Sequence, residues 1–183
     1  MKKLFFLLLP ALIMSCGGVE QHRASIEALA TGWDAATAAV TELGNNIATD
    51  LSNYGKVASE VSFDEATTAK LTPEQITEWG NARQNFAESL QGYAPLRTEI
   101  TEFSKVWSEQ AVKVQELQDG LAGGKLEGDV AGKVAELNTL VTQANEKVTA
   151  WQAAYGDAKA KAESGLNSLR ETYAAIAANI PAK

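Results

Sequence analysis

Residues 130–180 read VAGKVAELNTLVTQANEKVTAWQAAYGDAKAKAESGLNSLRETYAAIAANI, and this stretch decides the fold. Apolar residues recur in it every three or four positions, which places them on one side of an α-helix. They are Val130, Val134, Leu137, Val141, Ala144, Val148, Trp151, Tyr155, Ala158, Ala162, Leu166, Leu169, Tyr173, Ile176 and Ile180. Steps of three and four average 3.5 residues, the spacing of helices that pack as in a coiled coil. We predict a helix over roughly 129–180, capped by Asp129 and ended by Pro181.

Two further runs have the same spacing, over roughly 22–61 and 73–119. The second run follows a helix-start signal. Thr72 is placed to cap the free backbone N–H groups, and Pro73 suits the first helical position because its missing N–H is not needed there. Gln75 completes a capping box, and Leu71 is placed to pack onto Ile76, which we assign to the buried face.

The three runs predict an all-α fold, an antiparallel bundle of three long helices with coiled-coil-like packing. Trp33, Trp79 and Trp151 fall at helical seam positions and are expected in the core. An alternative has four helices, with the second run broken near Gly92–Pro95, because glycine weakens a helix and Pro95 removes a backbone donor.

A different pattern occupies the beginning of the chain. Lys2 and Lys3 precede an apolar run from Leu4 to Met14, and small residues follow it. A basic start, a short apolar core and small residues at the cleavage site are typical of a secretory signal peptide. About 11 apolar residues are too few to span a bilayer as a helix, which needs about 20.

Ile13-Met14-Ser15-Cys16 closes that segment and resembles the lipobox of bacterial lipoproteins. The resemblance implies a diacylglyceryl group on the Cys16 sulfur, cleavage between Ser15 and Cys16, and acylation of the new amine, commonly by palmitate. We therefore expect a signal peptide over 1–15, a lipidated tether over 16–24 and a helical bundle domain over 25–183. Two or three acyl chains hold a protein firmly to a membrane, whereas one holds it weakly.

The net charge of the chain limits the kinds of partner that it is expected to bind. Removal of residues 1–15 also removes Lys2 and Lys3, which leaves 14 basic against 23 acidic residues and a net charge of −9. An acidic surface repels phosphate backbones, so we expect no nucleic-acid partner. Gly17 is not the aspartate that retains some lipoproteins at the inner membrane. The outer membrane, with the protein facing the periplasm, is therefore the expected location.

Residues that carry reaction chemistry are scarce. His22 is the one histidine and Cys16 the one cysteine, too few for a zinc site of ordinary composition. The sequence contains no Glu-x-x-His motif, which a di-iron helical bundle would require. We expect no enzymatic activity, no catalytic residues, no metal and no cofactor.

Two family resemblances bear on function. Leu71-Thr72-Pro73-Glu74-Gln75 is similar to the Leu-Thr-x-x-Gln motif of Spy/CpxP periplasmic chaperones, although that family usually carries the motif twice. Lys183 at the end of the chain resembles the terminal lysine through which the major outer-membrane lipoprotein is joined to peptidoglycan. The first implies binding of unfolded proteins or amphipathic ligands, and the second implies attachment to the cell wall. The leading hypothesis is a lipid-anchored, non-enzymatic envelope protein with a structural role or an unidentified protein partner.

Overall fold

Every regular element in the described part of the chain, residues 17–180 of a computed structural model, is helical. The helices are α1 (Gly17–Glu60), α2 (Glu65–Thr68), α3 (Pro73–Ser89), α4 (Tyr93–Ala122) and α5 (Val130–Ala178). The all-α fold predicted from the sequence is confirmed. No helix within residues 17–180 is long and apolar enough to cross a bilayer. Residues 17–24, predicted as part of a tether, form the first turns of α1.

The second predicted run is two helices, as in the four-helix alternative. α3 ends at Ser89 and α4 begins at Tyr93. Pro95 explains the break, since it has no N–H and its ring crowds the carbonyl of residue 91, four positions earlier. The Gln91 carbonyl instead accepts from Ala94 N at 3.3 Å. The break predicted near Gly92–Pro95 therefore lies just before the proline, which is itself in the first turn of α4.

Two helix starts match their predicted caps. Thr72 Oγ1 accepts from Gln75 N, and Gln75 Oε1 accepts from Thr72 N, which completes the capping box. Asp129 Oδ1 accepts from Gly132 N at 2.9 Å, one turn into α5. Each cap satisfies backbone donors that have no partner inside the helix.

One predicted core residue is wrong. The inward positions of α3 step through Gln75, Trp79, Ala82 and Phe86. Ile76 is rotated by about 100° from Gln75, because an α-helix has 3.6 residues per turn. Ile76 is accordingly 50% exposed and lies outside the core, contrary to the prediction, whereas Leu71 is buried.

The chain forms two compact units. The described residues of the first unit are 17–37 and 106–145, from α1, α4 and α5. Its buried apolar residues are Ile26, Leu29, Ala30, Trp33, Ala36, Trp107, Val114, Leu117, Leu121, Val130, Val134, Leu137, Val141 and Ala144. Lys113 of α4 reaches Glu136 of α5, and a short turn joins these helices, so they run antiparallel.

The second unit comprises the described residues 38–105 and 146–180, and α3 adds a helix to its core. Within this unit α1 and α4 run antiparallel: Gly44 lies opposite Ile100, and Tyr54 contacts Tyr93. Antiparallel packing, as predicted, follows from these pairs. At one end of the core, Phe63 stacks on Tyr173 with ring centroids 4.6 Å apart and forms a T-shaped pair with Trp79.

Close backbone approach in the second unit depends on glycine. A Cβ at Gly165 of α5 would overlap the Ser89 hydroxyl and lie 2.8 Å from Ser89 Cβ. A Cβ at Gly92 would lie 3.1 Å from Ala158 Cβ. By contrast, a Cβ at Gly156, in the same helix as Gly165, would meet nothing within 4 Å.

These two α5 glycines predict opposite mutational effects. Gly156→Ala should stabilise the protein by up to about 1 kcal/mol, because alanine is the better helix former. Gly165→Ala should lose about 1–2 kcal/mol net, because forced overlap with Ser89 outweighs the same helical gain. Urea unfolding followed by tryptophan fluorescence measures both. Equal stabilisation by the two substitutions would contradict the close α3–α5 packing.

Candidate functional site

The residues assigned a role from the sequence lie mostly at the chain ends. Ser15, Cys16 and Lys183 are outside the described residues, so lipidation, cleavage and wall attachment stay predictions. His22 lies on the half-exposed surface of α1, with its Nε2 3.1 Å from the side-chain nitrogen of Gln21. The structure brings no other titratable group to the imidazole through a hydrogen bond among the described residues.

A polar cluster inside the second unit was not predicted. Asp50 of α1 has a largely buried carboxylate, with 16% of its side chain exposed. Its Oδ2 accepts from the Tyr155 hydroxyl at 2.7 Å and, at a longer 3.4 Å, from the Tyr93 hydroxyl. Lys159 Nζ lies 3.4 Å from the same oxygen. One carboxylate oxygen therefore receives donors from α4 and from two positions of α5.

The environment raises the pKa of each of these donors, so they stay protonated to a higher pH than usual. Burial, and then the hydrogen bond with Tyr54, raise the pKa of Tyr93 well above its usual range. Burial, followed by the hydrogen bond to Asp50, raises the pKa of Tyr155. The Asp50 carboxylate raises the pKa of Lys159 by electrostatic attraction. At neutral pH the Tyr93 and Tyr155 hydroxyls are hydrogen-bond donors and Lys159 carries an ammonium group. The Asp50 side chain therefore has three partners inside the second unit.

Two indole N–H groups are also tied to side chains. In the first unit Trp33 and Trp107 stack with centroids 3.5 Å apart, and Trp107 Nε1 donates to Thr37 Oγ1 at 2.8 Å. The Thr37 hydroxyl donates in turn to the Trp33 carbonyl. In the second unit Trp151 Nε1 donates to Glu99 Oε2 at 2.8 Å. These bonds fix large core side chains in one orientation.

Three open cavities lie on helix surfaces of the described residues. One of about 370 Å³ lies at the α4–α5 turn of the first unit, with Lys113, Lys125, Lys133, Glu116 and Glu127 among its lining residues. Others of about 450 and 470 Å³ are surface depressions along α4 and α3, lined by residues such as Arg97 and Glu74. Within residues 17–180 no group of three or more His, Cys, Asp and Glu side chains is placed to hold a metal ion.

The Asp50 cluster had one sequence signal. Ile47 and Leu51 extend a run of four-residue steps, a local shift of the seam that brings a neighbouring position inward. Leu51 and Asp50 are both half-buried. Tyr155 was placed on the core face, but a periodic pattern does not state which distant residue its hydroxyl meets.

Comparisons of this chain with protein-family models, with characterised proteins and with solved structures find no match.

Removal of the Asp50 carboxylate should be costly. Asp50→Ala leaves the Tyr155 hydroxyl and the Lys159 ammonium without their acceptor, and we expect a loss of about 2 kcal/mol in unfolding free energy. Asp157→Ala removes the same charge from an exposed position of α5 and should stay within about 0.5 kcal/mol. Urea unfolding compares the two. Equal effects would show that the cluster contributes nothing.

The tyrosines predict an alkaline loss of stability. A phenol whose pKa is higher in the folded than in the unfolded state stabilises the protein below its unfolded pKa of about 10. That contribution is lost as the pH rises toward the folded pKa, because the unfolded state releases its proton first. Tyr93→Phe should therefore flatten the decline in unfolding free energy between about pH 9 and pH 11. An unchanged slope would contradict the raised pKa of Tyr93.

Proposed function

We propose that this chain is a lipid-anchored protein of the bacterial cell envelope with a non-enzymatic structural or protein-interaction role. One observation carries the proposal: the lipobox-like Ile13-Met14-Ser15-Cys16 runs directly into a long helix whose first residue is Gly17. A lipid on Cys16 would hold α1 at a membrane surface with no intervening loop. The outer membrane, facing the periplasm, is the proposed location.

The packing of the helices favours a role in which their outer surface binds a protein partner. It argues against a chaperone-like role in which the helices separate to bind an unfolded protein. Its buried residues are apolar throughout the described chain. The Trp107–Thr37 and Trp151–Glu99 hydrogen bonds and the Asp50 cluster would break if the helices separated. Rigid helices with charged outer faces are suited to hold a protein partner at a set place.

A chaperone-like or amphipathic-ligand-binding role is the competing proposal, and it requires the apolar seam to open. Suppression of client aggregation by the purified protein would favour it. Crosslinking in cells to a defined envelope protein, lost with the anchor, would favour the interaction role. A deletion with no envelope defect and no crosslinked partner would count against that role. Muropeptide analysis bears separately on wall attachment through Lys183.

The anchor has a direct test. Cys16→Ser should abolish incorporation of labelled palmitate and move the protein from the membrane to the soluble fraction, because serine offers no sulfur for the diacylglyceryl group. Gly18→Ala is the matched control, since a Cβ there meets nothing within 4 Å, and it should leave both results unchanged. A Cys16→Ser protein that still fractionates with membranes would overturn the proposal.

A further inference from the structure

The start of α1 and the α4–α5 turn lie at the same end of the first unit. Trp33 stacks on Trp107, and a Cβ at Gly32 would lie 3.3 Å from Val141, so these residues mark one level. From that level α1 runs back to Gly17 over about 24 Å, and α4 runs on to Ala122 over about 22 Å, at 1.5 Å per residue. Residues 17–33 of α1 and 107–122 of α4 belong to one compact core, so these two stretches lie side by side. The two helices therefore run antiparallel there, and Gly17 and Ala122 lie at the same end.

The turn beyond Ala122 has a fixed conformation. Lys125 N donates to Gly120 O at 2.8 Å, and Gly124 N donates to Leu121 O at 3.3 Å, which is the Schellman pattern of a helix end. Gly124 supplies the left-handed residue, with φ of 66°. A Cβ at Gly120 would lie 2.8 Å from Lys125 O, so the turn folds closely onto α4.

Charge is concentrated at this turn. Among the described residues of the first unit, four are basic and nine are acidic. Three of the four, Lys113, Lys125 and Lys133, line the cavity of about 370 Å³ together with Glu116 and Glu127. The turn also carries Asp119 and Asp129, so the site offers ammonium and carboxylate groups side by side.

The ion-pair partners of Lys113 and Lys125 are weak competitors for these ammonium groups. Lys125 pairs with Glu127 at 2.7 Å, but 79% and 74% of the two side chains are exposed. Lys113 pairs with Glu136 at 3.4 Å, also at the surface. Exposed ion pairs contribute little net free energy, so their exchange for another charged group costs little.

We propose that the α4–α5 turn, residues 119–129 with the adjoining Lys133, docks on a zwitterionic phospholipid surface. This inference rests on the proposed lipidation of Cys16, which would hold the start of α1, and so the neighbouring turn, at the bilayer. Headgroup phosphates are met by Lys125 and Lys133, and headgroup ammonium groups by Glu127. An anionic surface fits less well, because the unit as a whole is acidic and like charges repel. The first unit then stands with its α4–α5 end on the membrane.

The test uses the full lipidated chain, purified in detergent and reconstituted into phosphatidylcholine–phosphatidylethanolamine vesicles. A fluorophore is attached at Ala122→Cys or, as the matched control, at Val106→Cys. Both positions are exposed on α4, and about 24 Å of helix separates them. Vesicles with and without a spin-labelled headgroup give a quenching ratio, which removes any effect of the nearby tryptophans.

We expect at least threefold stronger quenching at Ala122 than at Val106. Adding Lys125→Glu should bring Ala122 toward the Val106 value, and so should replacing a third of the lipid by phosphatidylglycerol. Co-flotation with the vesicles should persist in both cases, since the acyl chains remain. Equal quenching at both positions, absent quenching at Ala122, or no response to Lys125→Glu in a chain that floats would overturn the docking proposal alone. A chain that does not float would instead overturn the proposed lipidation.

Discussion

Each long helix carries one narrow apolar stripe, and burial of that stripe between neighbouring helices is the constraint on which the structure depends. Burying apolar surface stabilises the folded state by roughly 25 cal/mol per Å². Nearly all of the buried apolar side chains belong to these stripes. A helix with a single stripe is not stable alone in water, because its gain comes from a partner's stripe. The long helices therefore form only together.

A stripe of similar apolar side chains does not by itself fix how far one helix slides along another. In the second unit the Asp50 cluster supplies that information, because one carboxylate oxygen must meet donors from α4 and α5. Gly92 and Gly165 add a steric requirement, since each faces a particular neighbour at a separation where a side chain would collide. In the first unit the Trp33–Trp107 stack and the Thr37 hydroxyl serve the same purpose.

Local features were readable from the sequence because their partners are close along the chain. The Thr72–Gln75 capping box and the Asp129 cap involve residues three positions apart, and both are confirmed. Helical spacing identified the core seams, although it placed Ile76 one position away from the true inward residue, Gln75.

The sequence did not show which residues meet in the Asp50 cluster and in the tryptophan stack, because these contacts join residues 43 to 105 positions apart that only packing brings together. Pro95 is intermediate between these cases. The sequence predicted a helix break near Pro95. The position of the break between α3 and α4 also depends on the hydrogen bond that the Gln91 carbonyl accepts from Ala94 N.

In the proposed role, a lipid on Cys16 would attach the protein to a membrane, and the helices would present a fixed surface. The most direct measurement is the intact mass of the protein extracted from bacterial membranes, with fragmentation of its first residues. We expect a chain that begins at Cys16 and carries a diacylglyceryl group on the sulfur. A chain that retains residues 1–15, or one cleaved elsewhere with an unmodified Cys16, would contradict it.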